Sequence, residues 1–268
     1  MSEGAPIDAL VAEVLASAKY RAVSPELVAD LARRELAAHR SRKEAVKAVK
    51  NRLHQVAGAY FDARPDYGVW LGDLEAARAA GGPALHDTCL RLMARHASTR
   101  ERLPILDRFY AEALAGLPPP RSVVDVACGL GPLALPWMPL APGASYYACD
   151  IYADLAAFLG GFFALAGVPG RAEVCDLVRG APQQPADLAL ALKVLPVLEQ
   201  LDRAAPLRLL RGLEAPAILV SFPARSLGGR AKGMVENYER RFRELVAGER
   251  WQVQRFAFPS ELAFLVLK

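Results

Sequence analysis

The stretch Ser122-Val123-Val124-Asp125-Val126-Ala127-Cys128-Gly129-Leu130-Gly131 decides the fold class. Apolar residues surround a single acid, and a Gly-x-Gly turn follows. Lacking Cβ atoms, the glycines permit positive φ and let a ligand approach the main chain closely. The pattern is that of a buried parallel strand delivered into a tight loop at the mouth of an α/β sheet. A second apolar stretch, Ser145-Tyr-Tyr-Ala-Cys-Asp150-Ile151, ends in an acid placed to take the hydroxyls of a ribose. Acid-x-x-x-Gly-x-Gly followed by a strand-terminal acid suits a nucleoside cofactor, with S-adenosylmethionine the first choice. A dinucleotide site competes, because that fingerprint tolerates the Ala134 standing at its third glycine. Asp125 inside the first strand, and the lack of a second nucleotide-binding half downstream, favour methyl transfer over hydride transfer.

From residue 121 onward the pattern alternates strand and helix, as a parallel sheet with crossovers does. Helices are expected over 153–167, 199–213 and 234–247. Strands are expected over 171–177, which carries Asp176 and Leu177, over 186–193, which ends in Lys193, and over 217–223. Segments 251–258 and 261–267 close the chain as an antiparallel hairpin. The expected fold class is therefore α/β, a Rossmann-like class I methyltransferase sheet of seven strands behind a helical N-terminal domain. In that N-terminal part the apolar spacing predicts helices over 7–18, 25–38 and 42–60. Ser24 and Pro25 open the second, and Ser41 with Glu44 caps the third. Residues 61–83, with Pro65, Gly68, Gly72 and Gly81-Gly82-Pro83, read as loop. A helix over 84–96 and one capped by Ser98 or Thr99 come next. Pro118-Pro119-Pro120 marks the expected boundary between a domain at 1–117 and another at 118–268.

Composition narrows the class. The chain has 268 residues, 33 Lys and Arg against 29 Asp and Glu, and a net charge of +4, so local clustering matters more than the total. The uncharged run from Leu155 to Gly170 is 16 residues, short of a membrane span of ~20. The opening residues lack the basic and apolar regions of a signal peptide. The expectation is a soluble cytoplasmic protein. Its four cysteines, Cys89, Cys128, Cys149 and Cys175, form no C-x-x-C pair, which argues against zinc or a disulfide framework and for buried thiols. Between Arg33 and Arg52 lie Arg34, Arg40, Arg42, Lys43, Lys47 and Lys50, with Glu35 and Glu44 as the acids among them. Lys43, Lys47 and Lys50 share one helix face, which suits a polyphosphate backbone.

Residues beyond the fourth strand narrow the substrate. Asn-Pro-Pro-Tyr, used for exocyclic amines, is absent, as is the Pro-Cys nucleophile used for cytosine C5. No catalytic dyad stands out. An acceptor that is already nucleophilic fits best, and guanine N7 is one: it needs orientation rather than deprotonation. The loop from Ser221 to Tyr238 combines Arg225, Ser226, Arg230, Lys232, Met234 and three glycines where the fifth strand meets the substrate face. Cations there suit flanking phosphates, Ser226 a base edge, and Met234 an extruded ring.

This loop resembles that of the aminoglycoside-resistance 16S ribosomal RNA (guanine-N7) methyltransferases of the Arm/Rmt/Sgm type. So do Ala16-Ser17-Ala18-Lys19-Tyr20-Arg21, Arg52-Leu53-His54, Gly58-Ala59-Tyr60, His96-Ala-Ser-Thr-Arg-Glu-Arg102, Asp125-Val-Ala-Cys-Gly-Leu, Cys149-Asp150-Ile151 and Lys193-Val-Leu-Pro196. The resemblance spans nearly the whole chain. It implies methylation of guanine-1405 in the decoding site of the assembled 30S subunit, and resistance to 4,6-disubstituted deoxystreptamines such as gentamicin and kanamycin. It also implies S-adenosylmethionine as cofactor, held by Arg102, Asp125, Ala127, Gly129, Asp150, Ile151, Asp176, Leu177 and Lys193. Arg102 would reach the methionine carboxylate. Lys19, Arg21, Arg42, Lys43, Lys47, Lys50, Arg52 and Lys232 would contact rRNA, and Arg225, Ser226, Arg230 and Met234 would position the base. The partners expected are the 30S subunit alone, with no membrane and no metal, the enzyme acting as a monomer. Methylation of adenine N1, or a silent ribosome-assembly role, is the alternative. Gly131 departs from the bulkier residue of some relatives.

Overall fold

The computed structural model describes residues 4–54, 65–224 and 233–268. Three helices lead: α1 (Gly4–Leu15), α2 (Pro25–Ala38) and α3 (Arg42–Leu53). Ser24 Oγ accepts the Leu27 N–H at 3.3 Å, and Ser41 Oγ accepts the Glu44 N–H at 3.2 Å, so both expected caps form. Leu10, Val14, Leu27, Val28, Leu31, Val46, Val49 and Leu53 bury one face of each helix into a small core of their own.

Next come α4 (Tyr67–Ala80), α5 (Gly82–Met93), α6 (Ala97–Arg102) and α7 (Leu106–Ala113). The first corrects the loop expected over 61–83. Asp66 Oδ1 caps α4 by accepting the Val69 N–H at 3.1 Å. Burial then outweighs the helix cost of Gly68 and Gly72, about 1 kcal/mol each. Leu74 and Ala77 are buried, Tyr67 stacks on Phe158 at 5.0 Å, and Trp70 meets the same ring edge-on.

The rest alternates as expected: β1 (Ser122–Val126), β2 (Ser145–Asp150), α8 (Ala153–Ala166), β3 (Gly170–Val174), β4 (Leu188–Leu192), α9 (Leu195–Leu201), α10 (Ala205–Gly212), β5 (Ala217–Pro223), α11 (Met234–Val246), β6 (Gln252–Ala257) and β7 (Glu261–Leu267). The helix expected over 199–213 is two helices that part after Leu201. The strands make one sheet in the order β3-β2-β1-β4-β5-β7-β6. β1 to β5 pair in parallel, and β7 runs antiparallel to both β5 and β6.

Strand side chains alternate between faces, which gives the sheet two cores. Val123, Tyr146, Leu188, Leu190, Leu219 and Leu265 face one core with α8 and with Leu74, Leu92 and Phe109 from α4, α5 and α7. Val124, Cys149, Ala189, Val220 and Phe264 face the other with Leu209 and Phe242 from α10 and α11. Packing therefore continues across Pro118-Pro119-Pro120, and the separate core lies within 10–53. That leading bundle docks beside the end of β2. Ser24 N–H donates to Ile151 C=O, Ala153 N–H donates to Ala22 C=O, both at 2.9 Å, and Arg179 Nε reaches Asp30 Oδ2 at 2.7 Å.

Cys149 and Cys175 are joined as a disulfide, with Cα atoms 5.7 Å apart; Cys89 and Cys128 are free and buried. This corrects the expectation of four thiols. Parallel pairing of β2 and β3 carries the two cysteines to the same end of adjacent strands, which spacing in the chain does not reveal. No helix among the described residues is long and apolar enough to cross a membrane.

Candidate active site

The strand order turns back between β1 and β4, and in open α/β sheets ligands bind outside the carboxyl ends at that point. A pocket opens there, with about 990 Å³ of empty space including the open solvent at its mouth. Arg102, Asp125, Ala127, Gly129, Asp150, Ile151, Asp176, Leu177 and Lys193 all line it. The structure thus brings together, from five segments, all nine residues singled out for a cofactor.

β1 delivers Ala127 and β4 delivers Lys193, both with left-handed backbone, φ +50° and +60°. Such a conformation costs a residue with a Cβ roughly 1–2 kcal/mol and concentrates at functional sites. Gly129 follows at φ +51°, and a Cβ there would lie 2.7 Å from the His96 ring. Gly131 is equally constrained: its Cβ would lie 2.9 Å from Asp125 Oδ2. The second glycine is therefore what this chain needs to seat its own acid.

Asp150 closes the turn. Its Oδ2 accepts the Gly129 N–H at 2.9 Å and its Oδ1 accepts the Ile151 N–H at 2.7 Å. Burial raises its carboxyl above the ordinary range, against the pull of these backbone donors. Each carboxylate oxygen keeps capacity for a further donor. Asp176 lies two residues beyond β3 rather than within the strand. Its Oδ1 accepts the Val178 N–H at 2.9 Å. Its buried Oδ2 has no hydrogen-bond partner among the described residues, and Arg179 Nε is 3.9 Å away. Leaving such an acceptor buried and unmatched costs about 1–3 kcal/mol, which a ligand donor would recover.

Asp125 is 2% exposed, and its Oδ2 accepts the Tyr146 hydroxyl at 2.8 Å. Burial pushes its carboxyl up to about 7, against the Tyr146 bond and the Arg102 charge. The folded chain therefore holds this proton more tightly than the unfolded chain, and the contribution of Asp125 to stability falls as pH rises through that window. Between pH 5 and 7.5, urea titrations of wild type should lose stability relative to Asp125→Asn. Parallel curves for the two proteins would contradict the raised value.

Arg102 is fully buried rather than on a helix surface. Its Nη2 donates to Glu261 Oε1 at 2.6 Å, its Nε reaches both carboxylate oxygens, and its guanidinium lies 4.8 Å from the Phe109 ring centre. Lys193 Nζ pairs with Glu101 at 2.8 Å and Glu261 at 3.3 Å and donates to Ser98 C=O at 2.9 Å. The acids nearest Lys193 in sequence, Asp187 and Glu199, are engaged elsewhere: Asp187 accepts the Arg121 N–H and Glu199 pairs with Arg241. Burial would raise the Glu261 carboxyl; Arg102 and Lys193 outweigh it and hold it below the ordinary range. His96 also lines the pocket, and burial beside Lys193, Arg102 and Arg100 lowers its pKa to about 3, so it stays neutral at working pH.

Sequence reasoning assigned no role to Glu261, His96 or Leu27. Glu261 carried one signal, a lone acid opening an otherwise apolar strand. His96 opens the His96–Arg102 motif but gave no sign of its own. Leu27 carried none: it lines the pocket only because α2 docks beside β2.

The basic face is less free than expected. Arg42 pairs with Glu13 at 2.6 Å, Arg52 approaches Glu35 at 3.5 Å, and Arg33 pairs with Asp30. Lys43 and Lys47 are exposed on α3, and Lys50 is half-buried. Lys19 Nζ lies 2.9 Å from His54 Nδ1, and Arg21 is exposed nearby. Arg225, Ser226, Arg230 and Lys232 lie outside the described residues. Met234 opens α11 half-buried, and one turn on Tyr238 stacks on Phe222 at 5.1 Å.

The sequence matches the family described as Ribosomal RNA methyltransferase (FmrO) over residues 16–265. A protein of Frankia casuarinae named 16S rRNA (guanine(1405)-N(7))-methyltransferase is 42% identical over 99% of this chain and 95% of its own. One of the same name from Micromonospora rosea is 39% identical over 98% and 97%. The crystal structure of the 16S rRNA methyltransferase RmtF in complex with S-adenosyl-L-homocysteine superposes with a TM-score of 0.84 at 32% identity, covering 100% of this chain and 99% of that one. The 16S rRNA methylase RmtB gives 0.80 at 31%, covering 98% of both. With the family matched along almost its whole length, this chain belongs to the FmrO ribosomal RNA methyltransferases.

Proposed function

We propose that this enzyme transfers a methyl group from S-adenosylmethionine to N7 of guanine-1405 of 16S rRNA, in the assembled 30S subunit. The observation that carries the reading is the pocket at the ends of β1, β2 and β4, with Asp150 closing the glycine turn and an unmatched Asp176 oxygen buried at its wall. Those donors and acceptors fit an adenosyl group. Asp150 takes the ribose hydroxyls, Asp176 the adenine amino group with Ile151 and Leu177 about the ring, and Ala127 and Gly129 form the turn beneath. Arg102 and Lys193, fixed by Glu261, place positive charge for the methionine carboxylate, and Asp125 lies at the same end.

The bound sulfonium supplies the methyl group by in-line displacement. The protein's part is positioning, because guanine N7 has no proton to lose. The neutral, weakly basic His96 suits a site that needs no general base. Arg225, Ser226, Arg230 and Met234 hold the base, which must be turned out of its stack to be reached. Residues 1–117 dock on rRNA through Lys19, Arg21, Arg42, Lys43, Lys47, Lys50 and Arg52, with Lys232 added from the second part. The enzyme works in the cytoplasm as a monomer, and the methylated site confers resistance to 4,6-disubstituted deoxystreptamines. Reverse-transcription mapping of 16S rRNA from expressing cells, after borohydride reduction and aniline cleavage of the chain at N7-methylguanine, tests this: a stop specific to guanine-1405 is expected, and modification elsewhere refutes it.

Arg42 is held by Glu13, whereas Lys43 and Lys47 stand exposed on α3, so these two lysines carry the docking prediction. Lys43→Glu with Lys47→Glu should weaken 30S binding and lower its salt slope by about one unit per lost phosphate contact. Cofactor affinity should not move. A wild-type salt slope in the double variant would show a merely solvated face.

A further inference from the structure

The disulfide has a position that the methyl-transfer reading does not use. Cys149 is the penultimate residue of β2, and Cys175 is the first residue after β3. Each immediately precedes a pocket acid, Asp150 and Asp176. Their Cα separation of 5.7 Å is ordinary for a bridge. Main-chain bonds tie the same atoms to the glycine turn: Cys175 N–H donates to Asp150 C=O at 2.9 Å, and Cys128 N–H donates to Cys149 C=O at 3.0 Å. β3 is the edge of the sheet, with β2 its one neighbour there. The bridge is thus the covalent tie between the acid at the ribose end and the acid on the edge segment. Cys149 is buried and Cys175 half-buried, so a small reductant meets the Cys175 side first.

A protein that works on ribosomes shares their reducing compartment, where disulfides that form are mostly redox-responsive. We propose that Cys149 and Cys175 are a thiol–disulfide modification site that sets the affinity of the adenosyl pocket. This rests on the cofactor reading of that pocket. The reductant is a dithiol. One of its thiolates attacks Cys175 Sγ, the Sγ–Sγ bond breaks, and Cys149 leaves as a thiolate that takes up a proton. The second thiol of the reductant then displaces Cys175 Sγ, leaving two cysteine thiols and an oxidised dithiol. Two electrons pass from the dithiol to the protein. With the tie broken, hydrogen bonds and the Arg179–Asp30 ion pair are left to hold the Asp176 segment, and the pocket loses its fixed width.

The test uses the full chain, oxidised with diamide or reduced with dithiothreitol and desalted. Alkylation under denaturing conditions counts thiols by mass: two adducts are expected on the oxidised chain and four on the reduced one. Calorimetric titration with S-adenosylhomocysteine should give a Kd about fivefold or more weaker for the reduced form, recovered on reoxidation. Cys149→Ser with Cys175→Ser should match the reduced form and ignore reductant, while Cys89→Ser should behave as wild type. Four adducts after diamide, or one Kd for both redox states, overturns the proposal. Loss of S-adenosylhomocysteine binding in both states would instead overturn the cofactor reading.

Discussion

Glu261→Ala is expected to cost about 3–5 kcal/mol of folding stability, because it leaves a buried guanidinium without its counter-charge. The carboxylate is fully buried in β7 and receives Arg102 at 2.6 Å and Lys193 at 3.3 Å. Arg102 is itself 1% exposed and cannot turn to water. Urea unfolding of wild type, Glu261→Ala and Glu261→Gln reads the effect directly. The glutamine variant keeps the volume and some hydrogen bonding, so its loss should be smaller than that of alanine. A loss below about 1 kcal/mol for alanine would show that the network is worth no more than an exposed pair. Two jobs of Arg102 are separated in this way: a group fixed by Glu261 on one side can still present charge to the pocket it lines.

Asp150→Ala should weaken S-adenosylhomocysteine binding tenfold or more. A carboxylate taking a ribose hydroxyl is a charge-assisted contact worth ~1.5–3 kcal/mol. In this chain Asp150 also accepts the Gly129 and Ile151 N–H groups, so alanine loosens the turn as well as removing the contact. Asp150→Asn keeps one acceptor and the shape, and should fall between alanine and wild type. Calorimetry on variants whose circular dichroism matches wild type decides it. Wild-type affinity in the alanine variant would remove Asp150 from the cofactor site.

The parts legible in sequence were those whose cause is local. A strand buried on both faces, a glycine turn and a strand-terminal acid need only neighbouring residues to show themselves, so β1, β2 and the pocket acids could be read directly. Caps at Ser24 and Ser41 were legible for the same reason, since each closes within three residues. Tertiary structure decided what depends on distant partners. α4 forms although Gly68 and Gly72 disfavour it, because Leu74, Tyr67 and Trp70 find a core supplied by α8. Glu261 meets Arg102 across 159 residues, which no window of sequence reveals. The register of β2 on β3 brings Cys149 beside Cys175, and the packing of α1 on α3 gives Arg42 a Glu13 partner that charge counting along α3 missed. Local pattern settles which elements form and where ligands approach the main chain. Which charges remain free, and which are consumed by the fold, is settled only when the elements pack.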